Sequence, residues 1–206
     1  MMVTRSLLPS RRGSTAAEFA LVLPVLLVVL FGIIDAGRLM WTLNEGQKAA
    51  QVGARVAVVT NLVPSGLLNY TFVSDTNPPG SPVNGLFGSI TCQGSGGTPT
   101  CSCTTDPCSG AMVGTANSTA FAAILSRMQG FYPEVANDNL KIVYEGVGLG
   151  YAGNPHGSDV SPMVTLEIDG MTFQPISLLV FGAPQFALPS FRSSMTLEDG
   201  VGTVSN

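Results

Sequence analysis

The chain has 206 residues, 45% of them hydrophobic and only 11% charged, where an ordinary soluble domain carries roughly 25% charged residues. That length suits one globular domain plus an anchor and excludes two large domains. The net charge of -4 is uneven: Arg5, Arg11 and Arg12 precede every acidic residue, and beyond residue 13 six basic face thirteen acidic residues. An acidic body without clustered Lys and Arg cannot neutralise phosphates, so nucleic-acid partners are excluded.

The first element is an apolar run at 19–34, sixteen residues without a charge. As a helix it spans about 24 Å at 1.5 Å per residue, a little short of a ~30 Å hydrocarbon core. Extension to 15–36 reaches bilayer length and takes in Glu18 and Asp35 near its ends, and the spanning segment is expected over about 15–41. The arginines before it stay cytoplasmic under the positive-inside rule, which places the C-terminal body outside the membrane. A cleaved signal peptide fits less well, because the run exceeds the usual 7–15-residue core and no clean A-x-A-like site follows.

Gly13-Ser-Thr-Ala-Ala-Glu18-Phe19, followed by the apolar run and Gly32-Ile-Ile-Asp-Ala-Gly37-Arg38, resembles the TadE-like pseudopilins of tight-adherence pili. The resemblance is close over 11–40 and holds only in outline beyond. It implies cleavage after Gly13 by a prepilin-type peptidase, so that Ser14 becomes the first mature residue, Glu18 the fifth and Phe19 the sixth. It also implies a pilin-like fold, pilin or pseudopilin partners and their assembly machinery, and the bacterial inner membrane as the site of insertion. Physical chemistry agrees. A carboxylate at the membrane costs a few kcal/mol unless paired or functional. The α-amine freed at Ser14 stands four residues before Glu18 on the same helix face. A glycine before the cut lets a peptidase hold an extended backbone.

Past the membrane the helix is expected to continue to residue 59. Ala49, Val52, Val56 and Val59 form an apolar stripe opposite Lys48, Gln51 and Arg55, an amphipathic pattern. Pro24 is expected to kink the membrane half, and Gly46 and Gly53 to admit a close packing partner. A break at 44–46 is the alternative. Asp35 and Arg38, three residues apart, read as an exposed pair at the outer membrane face, and Trp41 as an interfacial aromatic.

Residues 60–112 are rich in Gly, Pro, Ser and Thr and read as irregular surface, with weak strand signals at 70–73 and 89–92. Within the Cys-rich loop 92–108, Cys92, Cys101, Cys103 and Cys108 read as two disulfides of undetermined pairing, because their spacing lacks the paired knuckles of structural zinc. A second helix is expected at 116–130, with Phe121, Ile124, Leu125 and Met128 on one face and Gly130 as its stop. Alternation then marks strands at 140–145 and 164–169, joined by a hairpin-like loop, and a terminal strand at 194–198 carrying Met195 and Leu197 inward. The apolar run 176–181, bracketed by Pro175 and Pro184, reads as a packed core element.

Parts for catalysis are missing. His156 is the only histidine and falls in a loop; no G-x-S-x-G elbow, Walker loop, dinucleotide fingerprint or EF-hand occurs. No cofactor, no metal and no enzymatic activity are expected. The reading is an α+β, pilin-like chain: leader 1–13, helix 14–59 with its first half in lipid, and an extracytoplasmic head 60–206 built on a small antiparallel sheet. Its expected function is that of a minor pilin-like subunit acting in pilus assembly. The alternative is a secreted or anchored binding module that presents the cysteine-rich loop.

Overall fold

A computed structural model describes residues 12–179, 182 and 184–198. In chain order the elements are α1 (Arg12–Ala57), α2 (Ser65–Asn69), β1 (Ser89–Ser95), β2 (Thr98–Thr105), α3 (Gly110–Val113) and α4 (Ser118–Gln129). A 3-10 turn (Asn137–Asn139) then leads into β3 (Leu140–Glu145), β4 (Met163–Ile168), β5 (Thr172–Phe173), β6 (Phe186–Ala187) and β7 (Phe191–Thr196). The class is α+β, a long N-terminal helix with a five-stranded antiparallel sheet in the order β2-β1-β3-β4-β7. β5 and β6 make a separate two-residue ladder.

Two compact units emerge. One comprises the described residues of 1–40 and 173–186; the other comprises 41–172 with the described residues from 187 onward. The second unit, the head, holds the sheet and α4. Its core gathers Ile90, Cys92, Ile142, Tyr144, Val164, Leu166 and Ile168 from the sheet and Phe121, Ile124 and Met128 from α4, all essentially inaccessible.

Helix α1 is unbroken through Pro24 and through 44–46, which removes the two-helix alternative. Lys48, Gln51 and Arg55 are exposed, as the pattern predicts. Of the predicted stripe, Ala49 and Val56 are buried while Val52 and Val59 are only half-buried; Gly46, Ala50, Gly53, Ala54 and Ala57 complete the buried face. Small residues let the helix axis approach the sheet closely. A β-carbon on Gly46 would meet three carbons of the Phe191 ring at 2.5, 2.6 and 2.7 Å.

The strands at 140–145 and 163–168 follow the alternation closely. The terminal strand begins three residues earlier than predicted, because Phe191 anchors it to the core. Helix α4 starts at Ser118, where the Asn117 side chain accepts the Ala120 N–H at 3.0 Å and caps the first turn. Gly130 ends α4 with ordinary right-handed geometry, so its role as a stop needs no left-handed conformation.

Two expectations are corrected. The cysteine-rich segment is not irregular: it forms the β1–β2 hairpin of the main sheet, and Cys92 belongs to the core. Few apolar side chains mark this hairpin; hydroxyl pairs across it, Ser89–Thr105 and Thr91–Thr104 at 2.6 Å each, support it instead. Its disulfides join Cys92 to Cys101, directly opposite in register, and Cys103 to Cys108. The run 176–181 is not a packed core element over its described part. Ile176 and Leu179 are 42% and 60% exposed, and Val180 and Phe181 lie outside the described residues.

The outer face of the sheet carries one buried charge. Glu167 stands between Lys141 and Arg192 in register across β3, β4 and β7, and both cations pair with it. The long aliphatic stems of its partners account for its burial on that face.

Candidate functional site

The apolar stretch of α1 is long and hydrophobic enough to cross a membrane, and none of its most apolar window is covered by the rest of the chain. Leu21, Val22, Val25, Leu26, Val28 and Ile33 are all more than half exposed. Such a surface is stable only in an apolar medium or against another apolar surface. The described structure therefore has one N-terminal helix compatible with a single-pass membrane anchor.

Glu18 and Phe19 lie exposed near the start of this helix. Gly13 and Ser14 fall in its first turn, since α1 begins at Arg12. The bond between them is thus helical, not extended. The first four N–H groups of a helix lack intrahelical acceptors, and helix ends open at little cost, so local fraying can expose this bond.

At the other end of the apolar run the structure shows a contact that sequence reading missed. Asp35 is not an exposed surface group: it is only 6% accessible. Its Oδ1 accepts the Ile176 N–H at 2.9 Å, and its Oδ2 accepts the Ser177 N–H at 2.7 Å. Arg38 Nη1 donates to Asp35 Oδ1 at 3.1 Å and to the Gln174 carbonyl at 3.4 Å. The Arg38 guanidinium also stands 5.3 Å from the centroid of the Phe173 ring. One acid–base pair thereby fastens the excursion that leaves β5 and returns at β6 to the helix at the point where its apolar run ends. The i, i+3 spacing of Asp35 and Arg38 suggested their pairing. Their backbone partners are about 140 residues away and left no local trace. The usable signal was the absence of any charged residue between 172 and 191, beside a carboxylate at the end of an apolar helix.

Elsewhere in the head an open cleft of about 530 Å³ is lined by 68–71, 153–157 and Asp159 and includes His156. Its buried acid, Asp159, accepts the Phe72 N–H and the Asn154 N–H, both at 2.8 Å, and so holds two loops together. The His156 N–H donates to Asn154 Oδ1 in the same turn. A smaller cleft of about 320 Å³ lies between Trp41, Glu45 and Lys48 on α1 and Phe131 after α4, with Lys48 Nζ 5.0 Å from the Phe131 ring centroid. Among the described residues no three His, Cys, Asp or Glu side chains gather as a metal site.

With the helix and its flanks described, comparison with known families is decisive for one segment. Residues 13–55 match the family model described as TadE-like protein. The N-terminal segment is TadE-like. That match starts at Gly13, runs the length of the apolar stretch and ends inside the head portion of α1, about a fifth of the chain. No curated protein and no solved structure matches the chain.

Proposed function

We propose that this chain is a minor pilin-like structural subunit of tight-adherence pilus assembly, with no enzymatic activity of its own. It is held in the bacterial inner membrane by α1, with its N-terminus cytoplasmic and its head outside. A single observation supports the reading most strongly: a TadE-like segment begins at Gly13 and coincides with a helix whose apolar surface the chain leaves uncovered. Cleavage after Gly13 would leave Ser14 as a new amino terminus within reach of Glu18, supplying a cation for a carboxylate at the membrane edge. A β-carbon on Gly32 or Gly37 would meet no atom within 4 Å, so α1 offers places where a neighbouring subunit's helix can approach closely. Two disulfides in the head agree with folding in an oxidising compartment.

The test is the N-terminal sequence and intact mass of the protein recovered from cells with their native peptidases. A membrane-retained chain beginning at Ser14 is expected. A soluble chain lacking the whole apolar run would replace this reading with a secreted binding module. Glu18→Ala is expected to leave membrane insertion intact and to impair pilus assembly, scored by surface filaments on cells. Normal filaments from that variant would remove the carboxylate from the assembly step.

A further inference from the structure

We infer that the described part of the excursion between β5 and β6 is a second membrane-contacting element, whose exposed Ile176 and Leu179 enter the headgroup–acyl boundary beside α1 and are held there by Asp35. The inference rests on the anchor reading of α1, and the experiment below separates the two. Three observations carry it.

The first is location. The described residues of the excursion cluster with the apolar part of the helix and not with the head. They are fastened at Asp35, the residue directly after the apolar run. Leu27 and Phe31, which share the face of Asp35 at steps of four, are less exposed than Val22, Val25 or Ile33.

The second is composition. From Thr172 to Phe191 the chain has no charged residue, and Ile176, Leu179 and Phe186 are 42%, 60% and 51% exposed. These side chains add exposed apolar surface to the unit that holds the uncovered apolar run of α1.

The third is the treatment of the backbone. A non-helical turn at the membrane must have its polar groups satisfied, because each bare N–H or C=O in hydrocarbon costs several kcal/mol. Asp35 accepts two consecutive N–H groups at the turn, and Arg38 donates to the carbonyl just before it. A turn fully bathed in water would gain little from a buried carboxylate. Arg38 is itself about half exposed, at a level suited to lipid phosphates.

Depth-dependent fluorescence quenching tests this on the full chain in phosphatidylcholine–phosphatidylglycerol vesicles. Trp41→Phe removes the native fluorophore. In that background Val28→Trp reports the anchor, Leu179→Trp the excursion and Leu149→Trp an exposed apolar site on the head. Lipids brominated deep in the acyl chain are expected to quench the Val28→Trp protein most. Lipids brominated near the headgroup are expected to quench Leu179→Trp most, and Leu149→Trp should lose no emission to either. Quenching at 28 without quenching at 179 would overturn the inference and leave the anchor standing. Absence of quenching at 28 would overturn the anchor itself. A blue-shifted, unquenched Leu179→Trp signal that disappears as protein is diluted in lipid would identify a second copy as the occupant and exclude lipid. Asp35 is a positioning residue here. Asp35→Ala should abolish quenching at 179 while leaving it at 28, and Asp35→Asn, which keeps one acceptor oxygen, should fall between. Full quenching at 179 in Asp35→Ala would remove the clamp from the proposal.

Discussion

Gly53→Leu is expected to destabilise the head by about 2–3 kcal/mol, a large share of the roughly 5–15 kcal/mol that holds a domain together. The cause is steric. A β-carbon at position 53 would fall 2.7 Å from Cγ and Sδ of Met128 and closer still to Leu166. Both neighbours are fully buried, Leu166 on the interior strand β4 and Met128 on α4, so neither can swing into solvent. Leucine is the better helix former by up to about 1 kcal/mol, which offsets part of the loss. Extra carbons in a close-packed core typically cost about 1–3 kcal/mol and occasionally more, and here they would push α1 away from both α4 and the sheet. Thermal unfolding of the full chain in detergent, followed by circular dichroism, should show a fall of roughly 2–4 °C per kcal/mol for a domain of this size. Gly53→Ala should fall less, because one carbon displaces less and gains nearly the same helix propensity. A combined Gly53→Leu, Leu166→Ala protein should be more stable than the sum of the single losses by about 0.5–3 kcal/mol, the coupling expected of residues in contact. Strict additivity of the two changes would show that the helix does not bear on the sheet at this glycine.

The same stripe shows what the sequence could and could not reveal. Amphipathy correctly oriented α1 in the head, since Lys48, Gln51 and Arg55 are exposed. The predicted stripe of Ala49, Val52, Val56 and Val59 holds at Ala49 and Val56, and the close approach expected at Gly46 and Gly53 is present, but Ala50 and Ala54 pack where Val52 and Val59 were expected to. Close approach needs small side chains, and a hydrophobicity pattern cannot distinguish an alanine that packs from one that fills space. β3 and β4 were legible because each buries one face, giving clean period-two alternation. β1 was signalled only weakly, at 89–92, and β2 not at all, because Gly, Ser and Thr dominate them and hydroxyl pairs and disulfides take the place of apolar alternation. Of the site, the TadE-like segment was readable as a motif, since its residues are contiguous. The Asp35 clamp was not, since the carboxylate and the backbone N–H groups it accepts come together only through the fold.

The hairpin supplies the second large effect. Replacing Cys92 and Cys101 together by alanine is expected to lower head stability by about 2–3 kcal/mol, from the loss of a cross-link closing a loop of this length. Replacing Cys103 and Cys108, which are five residues apart, is expected to cost about 2 kcal/mol or less. Position sharpens the difference. Cys92 is fully buried beside Ile90 and stands opposite Ile142 of β3, so its truncation also removes packed volume from the core. Cys103 is exposed and Cys108 half-buried. β2 is an edge strand paired only with β1, and none of its residues is buried, so without the cross-link little apolar contact retains it. Amide exchange followed by mass spectrometry should therefore show residues 98–105 opening ahead of β3 and β4 in the Cys92→Ala, Cys101→Ala protein. In the Cys103→Ala, Cys108→Ala protein, exchange should quicken mainly after residue 103. Freed of β2, β1 would become a bare sheet edge open to pairing with other chains, so the double variant should also aggregate more readily. Equal destabilisation by the two pairs, with unchanged exchange along β2, would mean that Cys92 acts only as a cross-link and that other contacts hold the edge strand.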